Sequence, residues 1–171
     1  MSISLSSASL PVFRQALGNL WHIVQKGIDD AKARGYAPQV LMQARLAPDM
    51  LPFSRQVTVA CDVVKIWGHR MQELEPPKYP NDETDLEQLQ ARIDQTLIWL
   101  DSLSASELDA AGDRNITMPA GNGQTRTLPG EDYLKHWALP NLFFHITTAY
   151  AILRHNGVRL NKHDYLYGPG G

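Results

Sequence analysis

Apolar residues recur at spacings of three and four in four stretches of the chain, with proline-, glycine- and charge-rich segments between them. That pattern predicts four long amphipathic helices. In the first, Phe13, Leu17, Leu20, Val24, Ile28 and Ala31 share a face; Ser7 and Ser9 offer N-caps before Pro11, and Arg34-Gly35 stops the run. His22 projects away from that face, toward water. The second helix starts at Pro52 and runs to about Leu74, turning Gln56, Val59, Ala60, Val63 and Trp67 inward and Arg55, Asp62 and His69 outward. Thr84 and Glu87 form a capping box for a third helix, built on Leu86, Leu89, Ile93, Leu97 and Leu100, and Ser104 with Glu107 opens a short turn reaching about Ala111. The period then changes to two. Ile116 to Met118 and Thr125 to Leu128 flank a glycine-rich turn and read as a small hairpin. The last helix begins at about Glu131, is kinked at Pro140 next to Asn141, and ends at Asn156-Gly157.

The last helix carries the chemistry. Leu134, Ala138, Asn141, His145, Thr148 and Ile152 fall on one side, so an apolar seam holds three polar groups at its centre. On the opposite side lie His136, Phe143, Tyr150 and Arg154, where two aromatic rings take what would be a solvent face. A helix apolar nearly all round is covered by its own domain on one side and by a partner on the other. His136, Phe143 and Tyr150 are therefore expected to form a homodimer interface, since one self-complementary patch gives a twofold pair. Facing the seam, Gln56 is the polar member of the second helix. Arg45 and Asp49, four apart in RLAPDM with Pro48 between them, are expected to form a salt bridge at the entrance of that helix. Gln56, Asn141, His145, Thr148, Asp49 and Arg45 make up the candidate ligand-binding set.

Composition narrows the field. A chain of 171 residues, 43% hydrophobic, supports one well-buried core, taken as a single domain over 1–167 with a flexible tail at 168–171, above which Leu160, Tyr165 and Leu166 lie over a groove. Sixteen basic and eighteen acidic residues, net −2 and without long runs of one sign, argue against nucleic acid and anionic membranes as partners. The single cysteine, Cys61, excludes an internal disulfide, has no adjacent base and reads as structural. No signal-peptide pattern and no run of about 18 apolar residues is present, so a soluble, cytoplasmic protein is expected. Gly121-Asn122-Gly123 lacks the Lys-Ser/Thr that follows in a phosphate loop.

The closing segment FFHITTAYAILRHNGV, with His145 eight residues before the leucine of Leu153-Arg154-His155-Asn156-Gly157, resembles the end of the DinB/YfiT-like superfamily. RLAPDM at 45–50, RQVTVACD at 55–62 and LPNLFFHITTAYAILRHNGV at 139–158 extend the likeness to a bacterial family of unknown function within it. The resemblance implies an all-α, antiparallel four-helix bundle with a long crossover between helices one and two and a small β-hairpin before the last helix. It also implies a divalent metal held by three histidines, one on helix two and a pair four apart on helix four. This chain keeps His145 alone; Asn141 stands where the second of the pair would be, and helix two offers Gln56, Val59 and Ala60. Amide groups are poor ligands for such metals. The expectation is thus a polar pocket for a small molecule, without a cofactor, in a non-catalytic binding or stress-associated dimer. Two alternatives stay open: a hydrogen-bonded cluster that merely satisfies itself, and a metal-dependent transferase or hydrolase in which His145, with Asp49 beside it, acts as metal ligand or general base.

Overall fold

In the computed structural model, residues 3–170 are described, and Met1, Ser2 and Gly171 lie outside them. Helix α1 (Leu5–Ala33) starts a turn earlier than its apolar pattern suggests, because Ser4 caps it by accepting the Ser7 amide at 3.3 Å. Pro11 then sits inside the helix at an exposed position, where it offers the exposed Ser7 no amide hydrogen for the helical bond. A short 3₁₀ turn (Pro38–Gln43) and the RLAPDM bend lead to α2 (Phe53–Met71). Helix α3 (Leu86–Asp101) is capped one residue later than Thr84: Asp85 accepts from the Gln88 amide at 2.8 Å, and the Gln88 side chain accepts from the Thr84 amide at 2.8 Å. Ser104 caps α4 (Ala105–Asp109) as expected.

Strands β1 (Asn115–Gly121) and β2 (Gln124–Pro129) pair antiparallel around Asn122-Gly123, whose φ values of 49° and 73° are those of a primed two-residue turn. Ile116 and Met118 face inward and anchor the hairpin to the helices. The last helical stretch comes in three parts: α5 (Gly130–Tyr133), a π-helical turn (Leu134–Ala138) and α6 (Leu139–His155). Pro140 has no amide hydrogen, and its ring crowds the carbonyl four residues back; the wider turn just before it absorbs both defects. The irregularity therefore precedes Pro140 by up to a turn and a half, where a kink beside Asn141 had been expected. Helix α7 (Lys162–Tyr167) follows, capped by Asn161, and a 3₁₀ turn (Gly168–Gly170) closes the described chain.

The structure is mostly helical with one small hairpin. Helix α2 lies along α6 on one side and α3 on the other, while α1 packs on α3, α6 and α7. Phe13, Leu17, Leu20, Phe53, Trp67, Leu89, Ile93, Leu142 and Leu153 are all fully buried between them. Two expectations about surfaces need correction. His22 does not point into open water: α7 covers it, and its Nε2 stands 3.1 Å from Asp164, which also takes Lys26 at 2.8 Å. The outer stripe of α2 is likewise occupied. Asp62 binds Arg92 of α3 at 2.6 Å, His69 stacks on Trp99 with ring centroids 5.1 Å apart, and Arg55 donates to Thr58 at 3.0 Å. Val59 is only half-buried, and Val57, Cys61 and Val64 take the core positions instead. No helix among the described residues is long and apolar enough to cross a membrane.

Candidate functional site

Gln56, one turn into α2, and His145, in the middle of α6, meet across the seam between their helices. The Gln56 side-chain nitrogen donates to the Leu51 carbonyl at 3.0 Å, which turns its oxygen toward α6. His145 Nδ1 lies 2.7 Å from that oxygen, so Nδ1 carries the hydrogen and donates. The imidazole is neutral, with a lone pair on Nε2 that takes no hydrogen bond from the described residues and is not sealed from solvent. Burial, assisted by the nearby positive charge of Arg55, pushes the His145 pKa down to about 4. The Phe144 ring meets the imidazole edge-on, with centroids 5.2 Å apart.

The other members of the predicted set join this pair only in part. Thr148 is buried, but its hydroxyl donates back to the Phe144 carbonyl at 2.7 Å within its own helix. Asn141, one turn before His145, is half-buried, and its amide has no hydrogen bond among the described residues. Arg45 and Asp49 do not pair. The Arg45 guanidinium donates instead to the Met50 carbonyl, and Asp49 is exposed. The cause is local conformation: an i,i+4 pair meets on a helix, whereas residues 45–50 form a bend. That bend still serves the site, since Met50 precedes the Leu51 carbonyl that orients Gln56.

The donors do not fit a three-histidine metal site. Among the described residues, no group of three or more His, Cys, Asp or Glu side chains is placed to hold an ion. Gln56 already uses its oxygen to accept from His145, and Asn141 offers another amide. Cys61 is fully buried, and its thiol is pushed up to about 12 by that burial, so it supplies no thiolate at neutral pH. None of the five cavities described is lined by His145.

The outer face of α6 is only partly free. His136 is exposed, 3.7 Å from Asp132, and Phe143 is 38% exposed. Tyr150, by contrast, is half-buried beneath α7, edge-on to Tyr165 at 6.0 Å. Phe144, the most exposed ring of α6 at 55%, went unnoticed in the sequence because it falls between the two faces of the helix. Arg92 was missed as well, although the signal for it existed: an arginine on the apolar side of α3, one residue before Ile93. Nearly buried, it donates to Asp62 at 2.6 Å, to Glu83 at 2.5 Å and to the Pro80 carbonyl at 2.7 Å, fastening the proline-rich 75–83 segment to α2 and α3.

This arrangement is similar to that of a DinB family member protein from Shewanella denitrificans: the crystal structure of that protein superimposes with a TM-score of 0.87 and 38% sequence identity, covering 95% of this chain and 91% of that one. The class is therefore the DinB-like superfamily. Within it, the chain belongs to the family described as a domain of unknown function, DUF1993, whose model matches residues 5–166. No curated protein matches the chain.

Proposed function

We propose that the chain is an antiparallel four-helix bundle of DinB type, formed by α1, α2, α3 and α6, that lacks the superfamily's three-histidine metal site. It acts as a non-catalytic binding or stress-associated protein, as a homodimer, with Gln56, Asn141 and His145 forming an inner polar site. The observation that carries this reading is the one-way chain from His145 Nδ1 to Gln56 to the Leu51 carbonyl. It fixes the ring and leaves a single acceptor, Nε2, enough for one hydrogen bond from a ligand. A metal ion needs several such donors, and the neighbours supply amides.

The competing reading, a metal-dependent transferase or hydrolase, draws support from the same unpaired Nε2. Metal content separates the two. Protein purified without an affinity tag is expected to carry no stoichiometric zinc, nickel or manganese, and its melting temperature is expected not to respond to those ions. One equivalent of metal in the wild type that disappears in His145→Leu would establish the enzyme reading instead.

A further inference from the structure

A cavity of about 320 Å³ opens between α2, α3 and the proline-rich 75–83 segment, and shares no residue with the Gln56–His145 pair. Tyr79, Pro80 and Ala91 give it an apolar wall, and Lys65 lines it from α2. Lys65 forms no ion pair among the described residues, although three carboxylates stand in its neighbourhood. Two of them are taken: Arg92 donates to Asp62 at 2.6 Å and to Glu83 at 2.5 Å. The third, Asp82, is exposed. What Lys65 Nζ does meet is the Tyr79 ring, 4.8 Å from its centroid, and the Arg92 guanidinium lies 5.9 Å from the same point. One ring thus serves two cations.

An ammonium so placed is held less firmly than one in water or in an ion pair. Burial pushes the Lys65 pKa below that of a free lysine, and the positive charge of Arg92 lowers it further. Arg92 cannot relieve this by moving away, because Asp62, Glu83 and the Pro80 carbonyl fix it. The side chain of Lys65 is only half-buried, so its nitrogen stays reachable through the cavity. A partly desolvated lysine beside a second cation is the kind of amine that attacks carbonyl groups.

We propose that Lys65 is a modification site, a nucleophilic amine that condenses with a small uncharged aldehyde held in this cavity. The lone pair of the neutral amine attacks the carbonyl carbon, and the C=O π pair moves to oxygen, which takes up a proton. Nitrogen then gives up its two hydrogens and the aldehyde its oxygen, which leave together as water, and a C=N bond replaces C=O. No oxidant or reductant is needed. Once Lys65 is neutral, Asp62, Asp82 and Glu83 outnumber Arg92 around the cavity, which disfavours an anion, while Tyr79, Pro80 and Ala91 suit an uncharged chain. This site is independent of the His145 reading and stands or falls separately.

Propanal is a suitable probe, with cyanoborohydride added to reduce the imine to a stable propylated amine. Applied briefly to the whole folded protein at neutral pH and read by peptide mass spectrometry, it is expected to label Lys65 about tenfold faster than the exposed Lys32, Lys78 and Lys162. The preference is expected to vanish when the chain is unfolded in guanidinium chloride, and to shrink with glyoxylate, an anionic aldehyde. In Lys65→Arg the fast adduct is expected to be missing from the intact mass while the slow ones remain. Should that variant not fold, the comparison of folded with unfolded wild type decides alone. Labelling of Lys65 no faster than of the exposed lysines, an equal preference in the unfolded chain, a fast adduct that survives in folded Lys65→Arg, or a preference with glyoxylate as strong as with propanal would each overturn the proposal.

Discussion

At the scale of single residues, the behaviour of His145 follows from where its hydrogen points. Its folded pKa, about 4, lies below the 6.5 of a free imidazole, so the unfolded chain binds the extra proton first. Stability tied to this group is present above pH 6.5 and is lost as the pH falls toward 4. Chemical denaturation is expected to show this as a fall of about 2 kcal/mol across that window, allowing for partial solvent contact, which disappears in the difference between wild type and His145→Leu. An unchanged slope in the variant would place the titration elsewhere. Gln56 and His145 were legible in the sequence because each interrupts an apolar helical face, and a polar group in that position needs a partner. Asn141 and Thr148 interrupt the same face, yet the seam also tolerates a threonine bonded to its own helix and an amide at its edge. Arg45 and Asp49 misled because their spacing has meaning only on a helix.

At the scale of elements, the local code served well where the contacts are local. The four long helices, the Ser104 cap and the hairpin all depend on residues within a few positions of each other, although the strands close to a two-residue turn where a longer glycine-rich one, Pro119 to Gly123, is read from the sequence. The Pro140 disturbance was foreseen, but its form, a π-turn before the proline, depends on how α5 packs and not on the proline alone. What spacing could not reveal are ties between distant segments: Arg92 reaches 30 residues back to Asp62, and His22 meets Asp164 across 142 residues. These ties make sharp predictions. Arg92→Leu leaves Asp62 and Glu83 largely buried without their cation and is expected to destabilise the protein by about 3 kcal/mol. Hydrogen exchange should speed up first at residues 75–83. Uniform acceleration along the chain, with no early loss in that segment, would show that Arg92 does not fasten it.

At the scale of the molecule, α6 lies against α2 within the fold and shows Phe143 and Phe144 outside, with α7 covering Tyr150 between them and the solvent. Part of the apolar outer face is thus covered by the chain's own last helix, a contact that the helical period of α6 alone could not distinguish from a second subunit. The proposed dimer therefore centres on the two phenylalanines. Phe143→Asp is expected to leave the helical content intact and to shift sedimentation from dimer to monomer; association at wild-type strength would remove this face as the interface. DinB-like architecture was legible in the closing motif, while the role of the inner polar pair was not, because one imidazole bonded to one side-chain amide is compatible with more than one role.

The proposed inner site requires a neutral His145 facing α2, with its hydrogen on Nδ1 and no metal on Nε2. Nitrogen-detected NMR of the histidine side chains, followed through a pH titration of the untagged protein, reads all of these at once. The expected result is a His145 ring that keeps the Nδ1–H tautomer at neutral pH and gains its second proton only near pH 4. A ring that protonates near pH 6.5 like a surface histidine, or an Nε2 signal shifted by a bound metal, would contradict it.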